Sequence, residues 1–458
     1  MKLRTLGPVL AFLAGGCNSV LDVKPINEID EGQAIINEVT AQAAVTGIYD
    51  ALQSGSYYGG ELLFFGDLSA EDVEHTGTFT SYRQIDLNDI SADNASIEGF
   101  WDALYISIGR ANIVLERVPG VAGIDPAKRD QMLGEAHFLR ALTYHNLVKF
   151  WGDSSPTGLG VPLRLVPPPD IGSASSITRA TTGEVYTQIL RDLFQAESLM
   201  SVTSDARQAS IGAVRAIRAR VLLYRENWAA AEAEAEAVEA MGYALAPQYG
   251  DLFGAEGIDT PEDILRVGFT ATEFCLEGYY YRANGAGGRR EITPSDSLLK
   301  AYWPGYTTGV PSSYTPVDVR GQRNVAFRVN TQYGSKWPTG LGAEDIHTIR
   351  FAEVLLIKAE AEARQGKLAE ADSSLDLVRA RAGVPALDLV ALGQAAAINA
   401  ILQERRLELA YEGDRWPDLV RTGRAVSRLG IPAFQRLYPI PVNEIDVTIP
   451  PLVQNPGY

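Results

Sequence analysis

Cysteine and histidine are both scarce. Of 458 residues only Cys17 and Cys275 are cysteines, and Cys275 reads most simply as a small buried apolar side chain. A disulfide is therefore unavailable if Cys17 is modified. The four histidines, His75, His137, His145 and His347, include no pair three or four apart on one helix. A histidine-ligated metal is not expected. Positive charge is short as well, with 40 basic against 57 acidic residues, a net charge of −17 and no basic patch. That balance argues against a nucleic-acid partner, because phosphate binding needs concentrated positive charge. Neither a Gly-x-Ser-x-Gly elbow nor a Gly-x4-Gly-Lys phosphate loop occurs, so nucleophilic and phosphoryl-transfer chemistry find no carrier. A paired-carboxylate glycosidase site can be imagined anywhere among 57 acids, which gives the idea little weight. No catalytic residue, cofactor or metal is expected, and the chain reads as a non-enzyme.

What the chain does have is tyrosine, 20 of them, many in Gly-rich or polar stretches instead of at helical core spacing. It also opens on a secretory pattern: Lys2 and Arg4, the apolar run Leu6 to Ala14, then Gly15-Gly16-Cys17. The run is too short to span a bilayer. Residues 1–16 are expected to be a lipoprotein signal, Cys17 the lipidated new N-terminus, and residues 17–36 a tether. Two acyl chains already suffice for stable anchoring.

Most of the remainder is helical in period. Helices are expected over Glu38 to Ser54, Ile97 to Val118, Pro126 to Trp151 and Arg179 to Leu199, the last with Thr182 as N-cap. Phe79 to Asn94 reads as a loop, and the prolines of Leu437 to Tyr458 argue against helix there. Trp101, Trp151, Trp228 and Trp416 fall at core positions. Around Asn227-Trp228 small residues (Ala219, Ala231, Ala235) imply two helices packed across a tight turn, and the arrangement returns around Gly366 with Ala359 and Ala371. Such pairs stack because each alone leaves an apolar face exposed, which is tetratricopeptide-like packing. From Tyr249 to Asp345 Gly, Pro, Ser, Thr and Tyr replace Ala and Leu, with short candidate strands at Ile264 to Phe269 and Val325 to Val329. The expected fold is mainly α: a tetratricopeptide-like helical hairpin scaffold (37–248 and 346–458) in one domain, 37–458, with a loop-rich insertion (249–345) containing short strands.

Two blocks carry a family likeness. RFAEVLLIKAEAEAR (350–364) and ERRLELAYEGDRWPDLVRTG (404–423), in this order, resemble the hallmark motifs of the SusD/RagB family of outer-membrane nutrient-binding lipoproteins; EAHFLRA in the 126–151 helix, Asp318-Val319-Arg320 and the C-terminal LYPIPVNEIDVTIPPLVQNPGY resemble further family segments. Mixed charges in the second block suit mutual pairing better than catalysis. The resemblance implies a surface-exposed, lipid-anchored capture protein for an oligosaccharide or a peptide. It also implies a partner, a TonB-dependent β-barrel transporter of the SusC type, on which the protein sits as a lid. A helical-repeat adaptor binding only protein is the alternative.

The binding surface is sought in the loops, because a sugar ring needs flat aromatic faces and a few polar partners for its hydroxyl rim. The candidates are Tyr57, Tyr58, Phe79, Tyr82, Arg83, Tyr280, Tyr281, Trp303, Tyr306 and Trp337, with Tyr314, Asn284, Arg289 and Arg290 as further possibilities.

Overall fold

The structure, a computed structural model, describes residues 34–201, 205–254, 259–307, 318–328 and 331–458. The expected signal, Cys17, most of the tether and Tyr314 lie outside the described residues. The fold is mainly α, built of helical hairpins with short two-stranded pairs between them. No helix among the described residues is long and apolar enough to cross a membrane.

Helix Pro126–Trp151 is central. Asp125 caps it by accepting from the N–H groups of Ala127 and Lys128, and Pro126 occupies the first turn, where its missing N–H costs nothing. It packs on Ala95–Arg117 on one side and Thr182–Leu199 on the other. The cap of the Thr182–Leu199 helix lies one residue earlier than expected. Thr181 accepts from the N–H of Glu184, whose carboxylate reaches back to Thr181. Thr182 is thus the first helical residue, and Arg179–Thr181 is a strand.

The two hairpins foreseen from their small residues are Ile211–Tyr224 with Trp228–Glu239, and Phe351–Arg364 with Leu368–Arg381. Trp228–Glu239 packs on Phe351–Arg364, which stacks one hairpin on the other. Ala219, Ala231, Ala235, Ala359 and Ala371 are all fully buried at these contacts. Trp101, Trp151 and Trp416 are core, whereas Trp228 is half-buried. Both turns close the same way: Asn227 N–H donates to the Leu222 carbonyl and Lys367 N–H to the Glu362 carbonyl, each at 3.0 Å. The residue before each donor is left-handed, Gly366 at φ 81° and Glu226 at φ 56°. A side chain strains that conformation and glycine does not. Glu226→Gly is expected to stabilise the fold by about 0.5 kcal/mol, and Gly366→Ala to cost about 1 kcal/mol, both read from urea unfolding midpoints.

The segment between the hairpins is tied at its neck. Strand Asp263–Val267 pairs antiparallel with Ile346–Arg350, with Asp263 opposite Arg350 and Val267 opposite Ile346. Within it Val325–Arg328 pairs with Thr331–Gly334. Two expectations fail locally. Residues Thr80–Asp86, read as loop, form a short helix, and Val442–Val447 is helical despite its flanking prolines. The reason in the second case is that Pro441 stands at the N-cap, where no helical N–H is needed.

The 404–421 charges pair with one another and with distant partners, as their mixed signs implied. Arg350 meets Glu262 at 2.7 Å, Glu408 at 2.6 Å and Glu412 at 2.8 Å. Arg320 meets Glu404 at 2.6 Å, Arg405 meets Asp418 at 2.9 Å and Arg406 meets Asp72 at 2.6 Å. All these side chains are buried.

Candidate functional site

A strand pair brings two distant loops together. Val73–His75 pairs antiparallel with Ile292–Pro294, His75 opposite Ile292, and this lays residues 76–79 beside Glu291. Glu291 is buried and acts as a clamp. Its Oε1 accepts from the N–H groups of Thr78 at 2.7 Å and Phe79 at 2.9 Å and lies 3.1 Å from His75 Nε2. Its Oε2 meets Arg289 Nε at 2.9 Å. Burial alone would raise this carboxyl, but the N–H groups of Phe79 and Thr78, with His75 and Arg289, hold it below the usual range. A Cβ on Gly77 would fall 2.0 Å from the Glu291 carboxyl carbon. Gly77→Ala is therefore expected to push the clamp off Phe79, costing about 1–3 kcal/mol in thermal or urea unfolding.

The clamp presents an aromatic surface. Arg289 lies 4.5 Å over the Phe79 ring and 5.7 Å over the Tyr280 ring. Those two rings are 6.0 Å apart, and Tyr280 stacks on Phe64 at 5.2 Å. Tyr82 stands behind, 5.3 Å from Phe79 and 6.1 Å from Tyr280, with Phe65 edge-on at 5.5 Å. Phe79, Tyr280 and the adjoining Tyr279 are half-buried, so each keeps some contact with solvent. Below them burial pushes the Glu61 carboxyl up to about 7, against the hydroxyls of Ser56, Ser96 and Tyr82, which pull it down. Flat rings with one guanidinium between them offer stacking faces and donors together, which suits a ring-shaped polar ligand.

Of the residues singled out in the sequence, the structure thus brings together Phe79, Tyr82 and Tyr280, joined by Arg289. Arg83 follows Tyr82 on the short helix and is exposed. The others are placed elsewhere. Tyr57 and Tyr58 are interior, 0% and 3% exposed, and both hydroxyls accept from Asn146 Nδ2. Tyr281 is 1% exposed, its hydroxyl donates to Asp67 at 2.7 Å and its ring packs on Tyr411. Trp337 is likewise 1% exposed, against Phe253. None of these four can stack on a ligand, because protein covers their rings. Trp303 and Tyr306 are buried beside one another, Trp303 also lying 6.2 Å from Phe327. Phe64, His75 and Glu291 were not foreseen.

A second concavity of about 650 Å³ runs along Thr46, Tyr49, Gln53, Arg207 and Gly268 to Thr270. It includes none of the residues singled out in the sequence.

Fold and surface together define a helical-hairpin scaffold that displays a shallow aromatic platform. Residues 279–433 match the model of the SusD family, and residues 20–223 match a second family model described as "Starch-binding associating with outer membrane". The chain belongs to the SusD/RagB family. Relatives include SusD-like protein P38 of Formosa agariphila, 27% identical with 90% of each chain covered, and SusD-like protein P2 of the same organism, 26% identical over 90% of this chain and 89% of its own. Among solved structures, a laminarin-binding SusD-like protein is 26% identical, covers 93% of this chain and 100% of its own and superposes with a TM-score of 0.78. A SusD superfamily protein from Bacteroides vulgatus shares the fold at a TM-score of 0.80, with 20% identity over 94% of this chain and 99% of its own.

Proposed function

We propose that this protein captures an oligosaccharide at the bacterial outer membrane, without cleaving it, and passes it to a TonB-dependent transporter of the SusC type. The observation that carries this reading is the Phe79–Tyr280–Arg289 surface, in which two half-buried rings flank a guanidinium held by Glu291. Its shape fits a sugar's apolar C–H faces and hydroxyl rim. Similarity to a laminarin-binding protein makes laminarin the first ligand to try, and the description of the family model supports the location. In this reading Cys17 carries the lipid anchor and residues 17–36 are the tether. Residues 37–458 then act as one domain, with the 249–345 insertion and the 73–82 segment supplying the ligand side. Arg83 and Tyr279 extend the platform.

The test is a titration of the purified chain, from residue 34 onward, with laminarin and then with a glycan and peptide array, monitoring both binding and product. Saturable glycan binding with no product supports the proposal. Released product would make it an enzyme, while co-purification of a membrane protein with no glycan or peptide binding would make it an adaptor.

A further inference from the structure

A small, half-open pocket at the far end of the central helix has a charge pattern at odds with the rest of the chain. It measures about 170 Å³ and is lined by Lys149, Tyr186, Tyr224, Arg225, Val420 and Arg421 among others. Lys149 is 93% buried, being 7% exposed, yet its amine makes neither a hydrogen bond nor an ion pair. An amine with so little solvent around it is satisfied only by what enters the pocket, water or a ligand. Arg225 also has no acidic partner; its guanidinium rests on the Tyr186 ring at 4.9 Å. Arg421 is committed, to Glu360 at 2.6 Å and Asp418 at 2.7 Å. Behind the cavity the His145 ring stands edge-on to Tyr224 at 4.9 Å, with both ring nitrogens and the Tyr224 hydroxyl lacking partners.

Charges of both signs lie behind this corner: Asp414, Glu353 and Asp418 act on Lys149 from the protein side, with Arg220 opposing them, but none of the three acids bonds its amine. Burial first, then Lys149 and Arg220, keep His145 well below its usual range and hence neutral. Burial pulls Lys149 itself down to about 8, with Asp414 opposing and Arg220 adding to the fall. Of the lining acids, Asp153 is engaged by Arg436 at 2.8 Å and Glu226 sits exposed on the rim. Two cations with no acid bonded to them thus line one small space in a protein of net charge −17. Size narrows the occupant: one water takes about 30 Å³ in the liquid, so the cavity holds the equivalent of a handful of waters. An oligosaccharide does not fit, whereas a single acid group with a few attached atoms does.

We propose that this cavity is a binding site for a small oxyanion, a carboxylate or sulfate group, held between Lys149 and Arg225 with the Tyr186 and Tyr224 rings as its walls. The site shares no residue with the aromatic platform and does not depend on the function proposed for it. A sugar acid and a free inorganic anion would use the same chemistry.

Trifluoroacetate followed by fluorine NMR, added to the full chain at constant ionic strength, is the direct probe. Saturable line broadening in the millimolar range is expected, unaffected by chloride. Displacement by galacturonate points to a sugar acid as the natural occupant, and displacement by sulfate alone to an inorganic one. Lys149→Met and Arg225→Gln should each weaken the probe's binding by at least about tenfold. Arg225 lies at the half-buried rim, so its variant keeps the test alive should Lys149→Met fail to fold. No saturable broadening in the unaltered protein, or equal broadening in a folded variant, would overturn the proposal.

Discussion

Arg350→Met is expected to destabilise the protein by about 3–5 kcal/mol at neutral pH, because it strips one buried cation from a set of buried carboxylates. The Arg350 guanidinium is fully covered and bonds Glu262, Glu408 and both oxygens of Glu412, at 2.6–3.0 Å, and also the Glu408 carbonyl at 2.8 Å. Arg381 and Lys336 remain after the change, the first 2.8 Å from Glu262 and the second 2.6 Å from Glu412, but neither reaches all three acids. The pH dependence has a definite sign. Burial would raise Glu412, yet Arg350 and Lys336 hold it at about 2, and Glu408 is held low by Arg381, Arg350 and Arg320. Folded-state values below the unfolded ones mean stability that is present above about 4.5 and is lost as pH falls toward 2. Removing Arg350 forfeits that contribution, so the deficit in urea unfolding should be largest at pH 7 and shrink toward pH 3. A constant deficit would show that Arg350 acts through packing alone.

The second large effect concerns the ligand. Phe79→Ala combined with Tyr280→Ala is expected to weaken glycan binding by about 100- to 1,000-fold, about 2 kcal/mol for each ring at full additivity and less because they touch. Both rings are half-buried, so the double variant should remain folded. Arg289→Ala should give a smaller loss, since the guanidinium supplies donors but little area. Trp337→Ala makes the contrast, because its ring is core and its loss should lower stability with no direct effect on ligand contact.

These two expectations mark where the sequence was legible and where it was not. The 126–151 helix could be bounded from its own residues, since proline and periodicity are local signals. The twin turns at 226 and 366 were visible because small residues recur on both sides of each. Mixed charges in 404–421 announced mutual pairing, though not the partners Glu262, Asp72 and Arg320, which are remote in the chain. Three tyrosines, Tyr57, Tyr58 and Tyr281, were misplaced, because glycine neighbours indicate a turn and say nothing of what lies above it. Tyr57, Tyr58 and Tyr281 became core because Asn146 and Asp67 engage their hydroxyls. The clamp was hidden altogether. It depends on His75 and Glu291, 216 residues apart, being drawn together by a three-residue strand pair too short to leave a pattern.

A structure of the protein with a bound oligosaccharide tests the central claim most directly. A sugar ring stacked on Phe79 and Tyr280, with Arg289 at its hydroxyl rim, is the result this account predicts. A ligand seated instead in the groove between Tyr49 and Gly268, with the Phe79 and Tyr280 faces bare, would contradict it.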